Sequence, residues 1–231
     1  MARASISSSR EPKQQPYVTF PITLIPPLHN TDDYVQAILT VFTYHALADP
    51  KILPTLQSSL AQTPNPTWIT LEKNTYLWSI LHECLRMMPG VSHRSARTAR
   101  TEDLHYVSAD GSSDFVIPRG TPIGMTSMIN HWNTDLFPNP DEFRPERWIT
   151  ANGERDLALV KKLLSFGKGT RSCIGENLAF CELYVMAAEM ATKVLPRAKL
   201  VDTTREDIDY HHDLIVLQTA KGSISVKIAI E

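Results

Sequence analysis

Cysteine is scarce in this chain, with three in 231 residues: Cys84, Cys173 and Cys181. That is too few for a disulfide framework and fits a reducing compartment. Glycine is scarce as well, nine against sixteen prolines, which points to loops with rigid turns. No apolar run reaches the roughly 20 residues of a spanning helix. The best candidate, residues 18–28, is interrupted by Pro21, Pro26 and Pro27. It lacks a clean small-residue cleavage site too, so neither a membrane anchor nor a signal peptide is read here. Neither sign of charge dominates: the net charge is −2, which gives no general argument for nucleic acid. Internal repeats, a phosphate-binding glycine loop and a Ser/His/Asp arrangement are all missing.

What is present is enough apolar residue for a sizeable core, 42% of the chain, in one large domain or two small ones. The opening residues 1–16 are polar and read as disordered. Asp32–Ala48 reads as a helix whose apolar stripe is Val35, Ile38, Leu39, Phe42 and Ala46. Pro50 suits the first turn of a second helix carrying Ile52, Leu53, Leu56 and Leu60. Residues 62–68 read as a proline-containing loop. Residues 74–87 form a third helix, with Leu77, Ile80, Leu81, Cys84 and Leu85 inward. On it, Glu83 and Arg86 are three apart and share a face; an exposed pair there contributes a few tenths of a kcal/mol. Short β segments follow: Leu104–Val107 and residues 115–117 flank the turn Asp110-Gly111, and residues 121–127 read as another strand. Residues 137–148 are proline-rich and extended. At the end, residues 214–219 and 223–230 flank Lys221-Gly222 and read as a terminal hairpin.

The most informative stretch runs from Phe166 to Gly175, FGKGTRSCIG. Gly167, Gly169 and Gly175 permit turns and close approaches that a Cβ blocks. Arg171 places a fixed positive charge two residues before Cys173, which favours thiolate over thiol. A helix over residues 177–194 follows directly, so its first N–H groups can face the sulfur. Such a thiolate serves as nucleophile, redox thiol or metal ligand. A lone cysteine is more often a buried, inert one. A zinc site is disfavoured, because no second Cys or His lies at ligand spacing from Cys173.

The pattern F-x-x-G-x-R-x-C-x-G, at Phe166, Gly169, Arg171, Cys173 and Gly175, resembles the haem-binding loop of the cytochromes P-450. Two further motifs resemble that family in the same order: E-x-x-R at Glu83 and Arg86, and P-E-R-W at Pro145, Glu146, Arg147 and Trp148. The wording around them is similar to fungal members that oxidise terpenoid or polyketide intermediates. The resemblance implies a mainly α fold with small β-sheets (α+β), covering the C-terminal half of the family fold over residues 31–231, with residues 1–30 as a disordered or unmatched tail.

It also implies roles. Cys173 is the expected axial thiolate ligand of the iron of haem b, a ligation that favours O–O cleavage. Arg171 and either Arg94 or Arg97 are expected to meet the haem propionates, and Glu83, Arg86 and Arg147 to form a structural network. The family's oxygen-activating motif A-G-x-[DE]-T falls on residues 30–34. There Asp33 keeps the acid, Thr31 replaces glycine and Tyr34 replaces threonine. Three readings follow: a monooxygenase acting on a small apolar substrate, a haem-binding remnant without turnover, and a fragment without haem. Electrons would come from an NADPH-dependent reductase on the cysteine-loop face, near Lys161, Lys162 and Lys168. The family is usually anchored on the cytoplasmic side of the endoplasmic reticulum; no anchor is read in this chain.

Overall fold

The computed structural model describes residues 17–22, 32–63, 65–214, 216–220 and 224–230. Its core is helical. In α1 (Asp32–Ala48) the five residues of the expected stripe are all buried. α2 (Ile52–Ala61) starts later than expected: Pro50 sits in the turn before it, and Ile52, Leu56 and Leu60 are the buried face. A short helix, α3 (Trp68–Glu72), begins at the last residue of the expected loop. Thr67 and Thr70 close it with a reciprocal capping box.

α4 (Thr75–Met87) is the centre of the molecule. Asn74 caps it, accepting from the Leu77 N–H at 2.9 Å. The same side chain takes the Ser59 hydroxyl at 2.9 Å and donates to the Ser59 carbonyl at 3.1 Å, tying the end of α2 to the start of α4. In place of the one-sided stripe that its spacing predicts, every residue from Leu77 to Met87 is buried. The reason is packing on several sides: α1, α2, α7 (Glu176–Glu189) and the 3-10 turn Pro145–Trp148 all touch α4. Two small helices complete the set, α5 (Ser127–His131) and α6 (Leu157–Val160). α5 replaces the end of the strand expected over 121–127; the Thr126 hydroxyl caps it by accepting from the Met128 N–H. α7 begins one residue before the expected helix and continues as a π turn, Met190–Val194.

The strands are short and antiparallel. β1 (Tyr17–Ile22), β9 (Ile224–Ile230) and β6 (Ala198–Leu200) make a three-stranded sheet with β9 in the middle. Val18 lies opposite Ile228, and Leu200 opposite Ile228 from the other side. Part of the expected N-terminal tail is therefore sheet. β2 (Arg97–Thr98) pairs with β5 (Pro122–Ile123), and β3 (Leu104–Val107) with β4 (Asp114–Ile117), the latter as expected. The terminal hairpin is corrected: β7 (His212–Leu214) pairs with β8 (Val216–Gln218), while β9 pairs with β1 and β6. The alternation in β9 signals a half-buried strand and not its partner. Val226 and Ile228 are fully buried, and β9 touches α1.

Candidate functional site

The loop that presents Cys173 is shaped by its glycines. Gly167 and Gly169 hold φ of +69° and +75°, the left-handed region that a side chain disfavours. A 3-10 turn, Gly169–Arg171, follows, and the Cys173 N–H donates to the Phe166 carbonyl at 2.8 Å. Gly175 departs from expectation: its φ of −87° is ordinary, and it serves as N-cap of α7. The Phe166 ring sits 5.3 Å from that of Phe180 on α7, which anchors the loop to the helix.

The loop is also stapled to α4. The Ser165 hydroxyl donates to the Leu85 carbonyl at 2.7 Å. The Leu164 N–H donates to His131 Nε2 at 2.8 Å, and His131 Nδ1 lies 2.9 Å from the Arg86 carbonyl. A backbone amide only donates, so Nε2 accepts and Nδ1 carries the proton. Burial keeps this ring neutral, its pKa lowered to about 3. One imidazole thus joins the end of α4 to the cysteine loop. No spacing in the sequence marks His131; it is a lone histidine before Trp132.

Glu83, Arg86 and Arg147 do come together, and the surface-pair reading of the first two fails. Both side chains are fully buried, with Arg86 Nη2 to Glu83 Oε1 at 2.9 Å and Nε to Oε2 at 3.0 Å. Arg147 Nε reaches Oε1 at 3.0 Å. Two further donors escaped sequence reasoning: Trp148 Nε1 at 2.9 Å from Oε2, and the Arg144 N–H at 2.9 Å from Oε1. The arginines spend their remaining donors on backbone carbonyls, Arg86 on His131 and Glu142, Arg147 on Pro138, Asn139 and Glu142. Buried charge of this kind persists only when paired and hydrogen-bonded throughout.

Above the loop opens a cavity of about 780 Å³. Its floor is the loop, with Phe166, Arg171, Cys173 and Gly175. Its opposite side is α1, through Tyr34, Val35 and Ile38, and its edge is the chain from Pro89 to Arg97. Gly90, at φ +77°, is held there by contact: a Cβ on it would stand 3.1 Å from the Tyr34 ring. Cys173 is exposed on the wall. Arg97 lines the cavity, whereas Arg94 lies with its stem against Gly124 and is not part of the wall. Gly169 shapes the loop from behind. Asp33 is the expected acid of this wall, but its side chain lies outside the described residues. Cys84 is buried in α4, its thiol pushed up by burial, and Cys181 is half-buried on α7; neither lines the cavity. Lys161, Lys162 and Lys168 are exposed around the loop.

The donor set is the Cys173 sulfur with Arg97 and Arg171 lining the same cavity, between largely apolar surfaces. That combination suits a flat apolar macrocycle carrying a metal and two carboxylates, so the residues present fit haem. No group of three or more metal-ligating side chains occurs among the described residues, and no helix among them is long and apolar enough to cross a membrane.

Comparison with known proteins shows what the chain is similar to. The profile described as Cytochrome P450, here written P-450, matches residues 44–224. The chain is 34% identical over 209 residues to the cytochrome P-450 monooxygenase claJ of Penicillium crustosum, covering 88% of this chain and 46% of that protein. It is 35% identical to oblB of Emericella variicolor, with 80% and 33% covered, and 37% identical to ucsK of an Acremonium species, with 80% and 36% covered. Both of these are also cytochrome P-450 monooxygenases. The chain therefore spans less than half the length of these curated relatives.

Proposed function

The chain belongs to the cytochrome P-450 family, and from that premise we propose that it is the haem-holding part of a monooxygenase that oxidises a small apolar metabolite of terpenoid or polyketide type. The observation that carries this reading is Cys173 on the wall of a cavity that also receives Arg97 and Arg171. When bound there, thiolate-ligated haem supplies oxygen activation. The chain's own residues do the rest. Cys173 Sγ would hold the iron, and the loop fixes the Cys173 backbone through the Phe166 carbonyl. Arg97 and Arg171 would hold the haem carboxylates, Arg97 in preference to Arg94. Val35 and Ile38 would keep water from the group across the cavity. Asp33 is the proton-relay candidate by its place in the sequence. Electrons come from an NADPH-dependent reductase docked on the face of Lys161, Lys162 and Lys168.

A second reading, haem binding without turnover, draws on Tyr34. It lines the cavity where the family motif has threonine.

A haem titration of the chain tests the first part. Arg97→Ala is expected to weaken haem binding about tenfold, the loss of one charged hydrogen-bonded contact, and Arg94→Ala to leave it within about twofold. The reverse order contradicts the assignment. With haem and reductase supplied, NADPH- and O2-dependent conversion of a terpenoid substrate supports the first reading. A thiolate spectrum without product supports the second.

A further inference from the structure

A second cavity, of about 280 Å³, shares with the first only residues 165–168. The segment before Cys173 is thus a partition between two cavities. The walls of the second are Leu163, Phe166 and Phe180, with Ser172 and Glu176 at its polar side and His82 from α4 among the lining residues. A site of about 150 Å³ between apolar side chains accommodates benzene, so this one has room for a substituted ring.

His82 makes the site specific. Its ring is buried between aromatic neighbours: 4.0 Å from the Trp78 ring, 5.5 Å from Trp148 and 5.6 Å, stacked, from Phe180. His82 Nδ1 is 2.8 Å from the Trp78 carbonyl. A carbonyl only accepts, so Nδ1 carries the proton and Nε2 keeps a lone pair. No described residue donates to Nε2 of this buried side chain. Nε2 is open to the cavity, where solvent satisfies it, so a group that displaces that solvent must bring an O–H or N–H in its place. A carboxylate has no donor to offer Nε2. Aromatic walls favour a ring over an aliphatic alcohol.

We propose that this cavity is a second small-molecule site, one that takes a phenol with its hydroxyl donated to His82 Nε2 and its ring between Phe166 and Phe180. A ligand so placed lies against the backbone of the cysteine loop, whose Phe166 carbonyl holds the Cys173 N–H. Binding here does not depend on haem.

Fluorine NMR of the full chain with 4-fluorophenol, and with fluorobenzene as the ring without a donor, tests it. Saturable 4-fluorophenol binding is expected, about tenfold tighter than fluorobenzene, one hydrogen bond's worth. His82→Phe is expected to abolish that preference. Val160 also lines the cavity, and Val160→Trp, which fills it and leaves His82 in place, is expected to abolish binding of both. Haem is expected to leave the affinity unchanged. Equal binding of the two probes, absence of saturation below about 10 mM, or displacement by haem overturns the proposal. The haem-free titration is decisive even if the chain holds no haem.

Discussion

Glu83 carries more of this fold than any other single side chain, because its carboxylate is the shared acceptor for Arg86, Arg147, Trp148 and the Arg144 amide. Removing its charge leaves two arginines with buried or nearly buried side chains lacking a counter-ion. Glu83→Gln keeps the shape and turns one acceptor into a donor that faces other donors. We expect it to cost about 3–5 kcal/mol, the range for breaking a buried pair from one side. Urea unfolding of the two chains measures it, and a loss under about 1 kcal/mol would mean the pair acts as a surface pair after all. The E-x-x-R spacing is visible in the sequence, but its burial is not. Spacing on a helix says which residues share a face and nothing about what covers that face.

Helix α4 shows how an element is positioned by its ends. Its first turn is tied to α2 by Asn74, and its last turn to the cysteine loop by His131 and Ser165. Asn74→Ala removes the cap and the link to Ser59 together. The expected loss is about 1–2 kcal/mol, the upper part of the capping range, read as a fall in Tm with the CD spectrum retained. No change would mean that solvent replaces the cap freely. The helices α1, α4 and α7 are legible in the sequence because apolar periodicity and caps are local. β9 is legible as a strand, since Ile224, Val226, Ile228 and Ile230 alternate, but its pairing is not. Its partners, β1 and β6, come from the other end of the chain and from the stretch after α7. The glycine-bounded cysteine loop is local too. The cavity wall above it gathers α1, the chain after α4 and β5, and no short window of sequence contains that juxtaposition. The choice between Arg94 and Arg97 has the same character.

The whole molecule buries neutral imidazoles as if they were hydrocarbons. His45 is stacked 4.0 Å from Phe143, His82 lies among Trp78, Trp148 and Phe180, and His131 bridges α4 and the loop. Burial, first of all, lowers their pKa values to about 3, 4 and 3. Above pH about 6.5 both folded and unfolded forms are neutral, and these groups make stability independent of pH. Below that value the unfolded chain takes up protons that the folded chain refuses. Stability therefore falls as pH drops from about 6.5, by about 1.4 kcal/mol per pH unit for each histidine, until the folded pKa values near 3 to 4 are reached. Unfolding at pH 7.0, 6.0 and 5.0 checks the sign; a stability that rises on acidification contradicts it. The fold so held brings one cysteine of three to the cavity. The reduced, CO-bound difference spectrum of the chain expressed with haem tests that claim most directly. A Soret band of the thiolate-ligated type is expected in the wild-type chain, in Cys84→Ala and in Cys181→Ala, and its loss in Cys173→Ala. No such band in the wild-type chain, or one that survives in Cys173→Ala, would contradict the assignment of Cys173 as the ligand.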